Sequence, residues 1–471
     1  MYRIVIVGGG MAGLAAAWEL CQGPRPVEIV VLEGSDRVGG KLRQEQIAGH
    51  LVDVGAESML AVRPEARDLI AHIGAAALLE APATNAASIL ARGVLRPMPP
   101  GSLMGIPRSA ADAAGILTAP ELARLERPEP VPALEHDVSV GDYVAAVLGD
   151  AVVERLVEPL LGGVYAGHAR RISLAAALPT LYAAARDARP LLPLAPASVA
   201  ASSEARTGQP AAPGSPFIGL RGGVGSLPGL LASGLVRRGV RIETAATVRG
   251  LAPAPGGAWE LTIGATTAPR VIRADAVVLA TPAAATRKLV QAFAPAAATT
   301  LAAVESASVA VVTFAFAASE LPPPTGSGFL VPPIEGRSIK ASTNSSSKWG
   351  WLARQAPEVT YVRASLGRHL EEATLQRPDA QLAEIARRDL GDILGRRLPV
   401  PVDWHVQRWG GGLPQYAVGH VERIELVRNE IATFHGLEVA GAAYDGVGIP
   451  AVIGSGRRAA RALAEAAGLR D

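Results

Sequence analysis

The chain opens on an apolar run, Tyr2-Arg-Ile-Val-Ile-Val7, that breaks at Gly8-Gly9-Gly10-Met11-Ala12-Gly13 and resumes as Ile29-Val-Val-Leu-Glu33. This order predicts a buried strand, a glycine turn, a helix and a second strand that ends on an acid. Further along, apolar residues at 152, 153, 156, 157, 160 and 161 recur at helical spacing over Asp150 to Leu161. Ser109 to Tyr182 is expected to be largely helical, with Ser139 as an N-cap because Asp142 follows three residues later. Val240–Glu243, Ala246–Val248 and Val277–Ala280 are expected strands, and Arg221–Pro228 is expected to open a helix. Near the end, Leu437–Gly441 predicts a short buried strand, followed by a helix from about Ala451. By contrast, 193–216 is rich in Pro, Ser and Ala without periodicity, which predicts a linker or surface loop.

The first turn implies a ligand. Gly8 permits tight turning, Gly10 lets a pyrophosphate approach the backbone, and Gly13 lets helix and strand pack closely. The helix N-terminus offers free N–H groups and a partial positive charge to phosphates. Glu33 stands where an acid accepts hydrogen bonds from a ribose. Two more small-residue stretches follow, Arg37-Val38-Gly39-Gly40-Lys41 and Asp53-Val54-Gly55-Ala56-Glu57-Ser58. An NAD-binding half would normally continue into further βα units here, so a second approach to a longer phosphate chain favours FAD. The later cluster Arg221-Gly222-Gly223-Val224-Gly225 lacks a leading apolar strand and has Pro228 where a third glycine should stand. It is therefore rejected as a nicotinamide site, and electrons that reach the flavin must leave to oxygen or another acceptor.

Composition narrows the classes. At 471 residues the chain is long enough for two or three domains. A net charge of +2 does not suggest nucleic acid. Cys21 is the only cysteine, which excludes a disulfide framework or a redox thiol pair. No Ser-His-Asp arrangement and no His/Cys cluster at metal spacing is visible, so no metal is expected. His136, His369 and His405 read as surface or satisfied core residues. The chain begins on a core strand and has no apolar stretch suited to spanning a membrane. A soluble, cytoplasmic protein is expected, with peripheral membrane contact left open.

Three further motifs carry a resemblance. They are Glu158-Pro-Leu-Leu-Gly-Gly-Val-Tyr-Ala-Gly167; Arg92-Gly-Val-Leu-Arg-Pro-Met-Pro99 leading to Gly105-Ile-Pro107; and Arg408-Trp409 with Leu413-Pro-Gln-Tyr416 and Gly419-His420. With the glycine segments, these resemble the HemY-type protoporphyrinogen and coproporphyrinogen oxidases of the amine-oxidase-like flavoproteins. The resemblance runs nearly the full chain and is weakest at 170–216 and 317–360. It departs from the family pattern at Glu57-Ser58-Met59, at His168 and at Ala451-Val452.

The resemblance implies an α/β fold. A Rossmann-like FAD-binding domain (1–65, 217–285 and 430–471) would join an α+β substrate domain (66–108 and 286–429) and a helical insert (109–192). It implies that Gly8, Gly9, Gly10, Met11, Ala12, Gly13, Glu33, Gly34, Gly40, Lys41, Gly55, Ala56, Glu57, Ser58 and Val248 hold FAD. Val447, Gly448 and Ile449 would abut the ring, with Trp409 nearby. Arg63 and Arg96 would bind substrate carboxylates, and Val164 would pack on a tetrapyrrole face. The implied reaction is oxygen-dependent oxidation of a porphyrinogen, with coproporphyrinogen III preferred over protoporphyrinogen IX and hand-over to a chelatase as an implied partner step. It needs a flat apolar slot and cations for propionates, and no side-chain base. An amine oxidase, a carotenoid desaturase and a non-catalytic flavin-binding protein are the competing readings.

Overall fold

The computed structural model describes residues 1–130, 132–191 and 215–469. Most of the expected linker at 193–216 lies outside the described residues. Among the described residues, a five-stranded parallel sheet forms the centre of the first layer. Its strand order is Arg241–Glu243, Val27–Leu32, Tyr2–Val7, Ala276–Leu279, Leu437–Val439. Strands Tyr2–Val7 and Val27–Leu32 pair over their whole length, Tyr2 opposite Val27 and Val7 opposite Leu32. Both are apolar on both faces because helices or a second sheet cover each side.

On one face, helix Met11–Leu20 lies between the sheet and helix Ile449–Ala466. Its alanines make this layer thin. A Cβ on Gly456 would lie 2.1 Å from Ala12 O, so the two helices cross at backbone contact. The C-terminal helix begins two residues before its expected start. Pro450 stands in its first turn, where a missing N–H costs nothing.

Two helices expected in the substrate domain pack on the cores that flank the parallel sheet. Helix Pro64–His72 shares the core of the parallel sheet through Ala66, Leu69 and Ile70, although 66–108 was assigned to the substrate domain. Helix His420–Ile431 does the same on the opposite face through Ile424, Val427 and Ile431. Burial of one apolar face, which sequence segmentation cannot see, decides membership.

A seven-stranded sheet builds the second layer, in the order Asp403–Pro414, Ser306–Ala317, Val359–Leu366, Ile339–Thr343, Gly328–Leu330, Ala87–Ala91, Val94–Pro97. Helix Asp379–Ile393 closes one face of it through Leu382, Ala386 and Leu390. Toward the other face lies a helical region with its own core, including Val144, Leu156, Leu161 and Leu181. Ser139 caps helix Val140–Leu148, its Oγ accepting from Asp142 N at 2.9 Å.

The helical run after Asp150 is not uniform. Val153–Val157 widens into a π-turn before helix Glu158–Tyr165. Pro159 supplies the reason, since it lacks an N–H and its ring crowds the carbonyl four residues earlier. The helical expectation also fails over 127–139, where Pro128, Pro130 and Pro132 interrupt the run. The expected strand Ala246–Val248 is displaced as well: Val248–Ala254 pairs with Ala258–Ile263 and begins where the expected one ends.

Candidate flavin and substrate site

The glycine turn is the floor of the site. A Cβ on Gly13 would sit 1.9 Å from Gly8 O, so only glycine fits there. Gly10, by contrast, has no atom within 4 Å of its Cβ direction, and that is the open side from which a phosphate can approach. Glu33 reaches back to the turn. Its Oε2 accepts from Gly9 N at 2.7 Å, and Oε1 accepts from the Ser35 N–H and hydroxyl at 2.8 Å. Oε2 retains a lone pair for a ribose hydroxyl, whereas Oε1 is filled by its two donors. Gly34 lies against Thr247, which places the start of strand Val248–Ala254 beside this acid.

The second glycine loop closes over the first. Gly39 N donates to Gly9 O at 2.8 Å, and a Cβ on Gly40 would lie 3.4 Å from the Gly10 Cα. Arg37 is spent holding this loop, donating to Val38 O, Gly40 O and Leu42 O. Lys41 is different. Its side chain is reached by solvent yet lies deep among protein atoms, as in a cleft wall, and that desolvation holds its ammonium below the ordinary value. No carboxylate pairs with it among the described residues. A cation so placed fits a phosphate.

The third segment joins the first two to the sheet. A Cβ on Gly55 would meet Lys41 O at 2.1 Å and the Trp409 ring at 3.2 Å, and Trp409 Nε1 lies 3.4 Å from Val54 O. Trp409 is half-buried. The helix that follows Val447 and Gly448 starts at Ile449 and crosses Met11–Leu20 at Gly456 and Ala12.

The Glu57 side chain, expected to hold FAD, is engaged within the protein. Its carboxylate, almost wholly buried, accepts from Lys348 and Arg363 at 2.8 Å each and from Ser345 at 3.1 Å. Burial alone would raise its pKa; the two cations outweigh that and hold the group at about 2. Its side chain is therefore consumed by an internal network, leaving Ala56 and Ser58 as the exposed and half-exposed members of the segment. Arg363 also donates to Gly55 O at 2.5 Å. Neither Lys348 nor Arg363 was singled out from sequence. A lone arginine within the apolar run Val359–Leu366 was the available signal.

Asp53 explains the second glycine cluster. It accepts from Val224 N and Gly225 N, both at 2.9 Å, while Gln44 Nε2 donates to Gly222 O. A Cβ on Gly223 would collide with the Asp53 carboxylate at 2.6 Å. Burial pushes Asp53 up to about 7, opposed by those two N–H donors and by Arg363. The cluster is a docking turn between segments, which accounts for its glycines without a nicotinamide.

The three expected substrate residues stand on separate elements. Arg63 is exposed, precedes helix Pro64–His72 and pairs with Glu65. Arg96 is exposed on the edge strand Val94–Pro97, opposite Ile89. Val164 is 39% exposed on helix Glu158–Tyr165, although its neighbours Leu161 and Tyr165 are buried, so it borders open space. The Leu413–Tyr416 motif packs behind the flavin-side loop. Tyr416 donates to Ala442 O and stacks on His420 at 4.2 Å, while His420 Nε2 lies 3.0 Å from Ala443 O.

A family model, flavin-containing amine oxidoreductase, matches residues 11–464. The chain belongs to that family. Its cofactor is FAD. Among relatives, a Mycobacterium tuberculosis (strain H37Rv) protein named coproporphyrinogen III oxidase is 36% identical, covering 98% of this chain and 97% of its own. A Bacillus subtilis (strain 168) protein of the same name is 30% identical, with 97% of each chain covered. A solved structure from Exiguobacterium sp. 255-15, provisionally described as a protoporphyrinogen oxidase, superposes with a TM-score of 0.83 at 32% identity over 98% of each chain. Among the described residues of this flavoprotein, no helix is long and apolar enough to cross a membrane, and no cluster of His, Cys, Asp and Glu could hold a metal ion.

Proposed function

We propose that the chain oxidises coproporphyrinogen III to coproporphyrin III in haem biosynthesis, a six-electron reaction in three two-electron steps. In balance, each step removes two hydrogens from the substrate and reduces one oxygen molecule to hydrogen peroxide. The bound FAD supplies the two-electron acceptor. The observation that carries the reading is near-complete coverage, at 36% identity, of a relative named for this substrate.

The residues of this chain support it in kind. On the sheet face opposite helix Asp379–Ile393, Val311, Leu330, Ala341, Thr343, Ser365 and Trp409 are half-buried, whereas Val312, Phe329, Ser342 and Ala364 on the other face are buried. Small and apolar groups thus border a cleft between sheet and helical region, as a flat substrate requires. Nothing in such a reaction calls for a side-chain nucleophile. The protein's work is to orient the ring beside the flavin and exclude water. Arg63 and Arg96 are proposed to meet carboxylates at the rim, and Val164 to touch the macrocycle. Arg96 shares the cleft-facing side of its sheet, because its neighbour Leu95 packs on the opposite core. The enzyme would act in the cytoplasm and pass its porphyrin to a chelatase.

Protoporphyrinogen IX is the second reading, favoured by the Exiguobacterium structure. Mixing the protein anaerobically with each porphyrinogen tests the pair. Faster bleaching of the flavin by coproporphyrinogen III supports the first reading, faster bleaching by protoporphyrinogen IX the second, and no bleaching by either removes both.

A further inference from the structure

Beside the ends of strands Ile339–Thr343 and Val359–Leu366 lie two buried cations, Lys340 and Arg368, outside the glycine-lined site. Register fixes their place. Ile339 pairs with Leu366 and Ala341 with Ser365, so Lys340 is the extra residue of a bulge. Ile339 and Leu366 pack toward helix Asp379–Ile393, whereas Ala341 and Ser365 face the cleft. A bulge re-aims one side chain at such a point. Lys340 is 3% exposed and Arg368 5% exposed. The Lys340 ammonium donates to Gly367 O at 2.9 Å, and the Arg368 guanidinium donates to Val331 O at 2.8 Å.

Both lie at the seam where sheet and helical region meet. His369 N donates to Ala166 O at 2.6 Å, lacing this turn to the end of the helix that carries Val164. Leu330 abuts Gly163, the exposed neighbour of Val164. Neither cation has an ion-pair partner among the described residues. Two acids act on Arg368 at longer range, Glu371 and Glu158, and both are also tied to His168: Glu158 binds His168 Nδ1 at 3.1 Å and Ala169 N at 2.6 Å, and Glu371 lies 3.4 Å from His168 Nε2. Neither acts on Lys340.

An ammonium buried beside another cation, without a counter-ion, is strongly unfavourable. An apolar residue would fill the same volume without that cost, so the charge points to an anion that arrives with a ligand. Only one N–H of Lys340 is used by Gly367. Two remain for a carboxylate.

We propose that Lys340, backed by Arg368, binds a propionate carboxylate of the tetrapyrrole at the seam beside Val164. This rests on the porphyrinogen reading and adds to it an inner carboxylate subsite beyond the rim arginines. A substrate with four propionates has carboxylates to spare for both places; one with two does not. Lys340 is then a residue that sets preference between the two porphyrinogens.

The test uses full-length, FAD-loaded protein with Lys340→Met, Lys340→Arg and, in case methionine does not fit, Lys340→Thr. Coproporphyrin III binding is read by fluorescence quenching, separately from turnover of coproporphyrinogen III. The expected result for Lys340→Met is a Kd and a KM raised about tenfold, with kcat within about twofold and FAD content and Tm no lower than wild type. Lys340→Arg should keep most of the affinity. Wild-type affinity and KM in Lys340→Met or Lys340→Thr would overturn the proposal, as would a fall in Tm with porphyrin binding unchanged, which marks a purely structural lysine. Failure of the wild-type protein itself to bind or turn over porphyrin substrates would instead overturn the function on which the proposal rests.

Discussion

The flavin cradle and the cleft face of the seven-stranded sheet are built on opposite plans. In the cradle, function depends on side chains that are absent. Gly13 against Gly8 O, Gly55 against Lys41 O and Gly456 against Ala12 O each leave about 2 Å where a Cβ would stand. On the sheet face, function depends on side chains delivered from far away. Arg363 reaches Glu57 and Gly55 across more than three hundred residues, and Lys348 joins it there. Backbone geometry is a local demand that one residue type satisfies. Convergence of charges is a demand on register, to which many local sequences are indifferent.

The strongest break of that contrast is Gly13→Val. Its Cβ would meet a backbone oxygen that cannot yield, so the expected outcome is loss of folded, yellow protein, read as FAD per polypeptide and soluble yield. Stoichiometric FAD at an unchanged Tm would mean the turn does not govern the cradle. Next comes Glu57→Ala, which strands Lys348 and Arg363 without their counter-ion and should cost roughly 3–5 kcal/mol in a denaturant titration.

The same carboxylate makes a signed prediction with pH. Its folded pKa of about 2 lies below the ordinary 4.5, so its stabilisation is present in full above about 4.5. It is lost as pH falls through that window toward about 2. Glu57→Gln should remove that part of the acid sensitivity; an unchanged acid profile would mean the network contributes nothing.

Lys41→Met should weaken FAD roughly tenfold with little effect on the apoprotein Tm, since the cation has no ion-pair partner among the described residues. Equal FAD affinity by ultrafiltration would place the phosphates elsewhere. Smaller still, Arg63→Ala should raise the KM for a carboxylated porphyrinogen a few-fold with FAD intact. Arg96→Ala should act by about twofold, as an exposed rim charge does. If neither moves KM, the carboxylates are met only further in.

These effects follow what was legible. The strand–turn–helix–strand opening, the acid at Glu33 and the Ser139 cap each depend on neighbours a few residues away, and each stands where the pattern put it. The C-terminal helix was visible too, apart from a start that Pro450 moves two residues earlier. The ion-pair network of Glu57 was not legible, because its cations Lys348 and Arg363 lie about three hundred residues away. Lys340 and Arg368 were silent for the same reason, and a bulge that no local pattern announces decides where the first of them lies. The domain division was legible only in outline: helices Pro64–His72 and His420–Ile431 carry apolar faces whose partners could not be read from spacing.

The most direct test of the whole account is aerobic turnover by the purified yellow protein, with coproporphyrinogen III and protoporphyrinogen IX supplied separately and porphyrin fluorescence followed together with peroxide. The account predicts three peroxides per porphyrin and faster turnover of coproporphyrinogen III. Faster turnover of protoporphyrinogen IX would contradict the substrate assignment, and no turnover of either at full FAD occupancy would contradict the function itself.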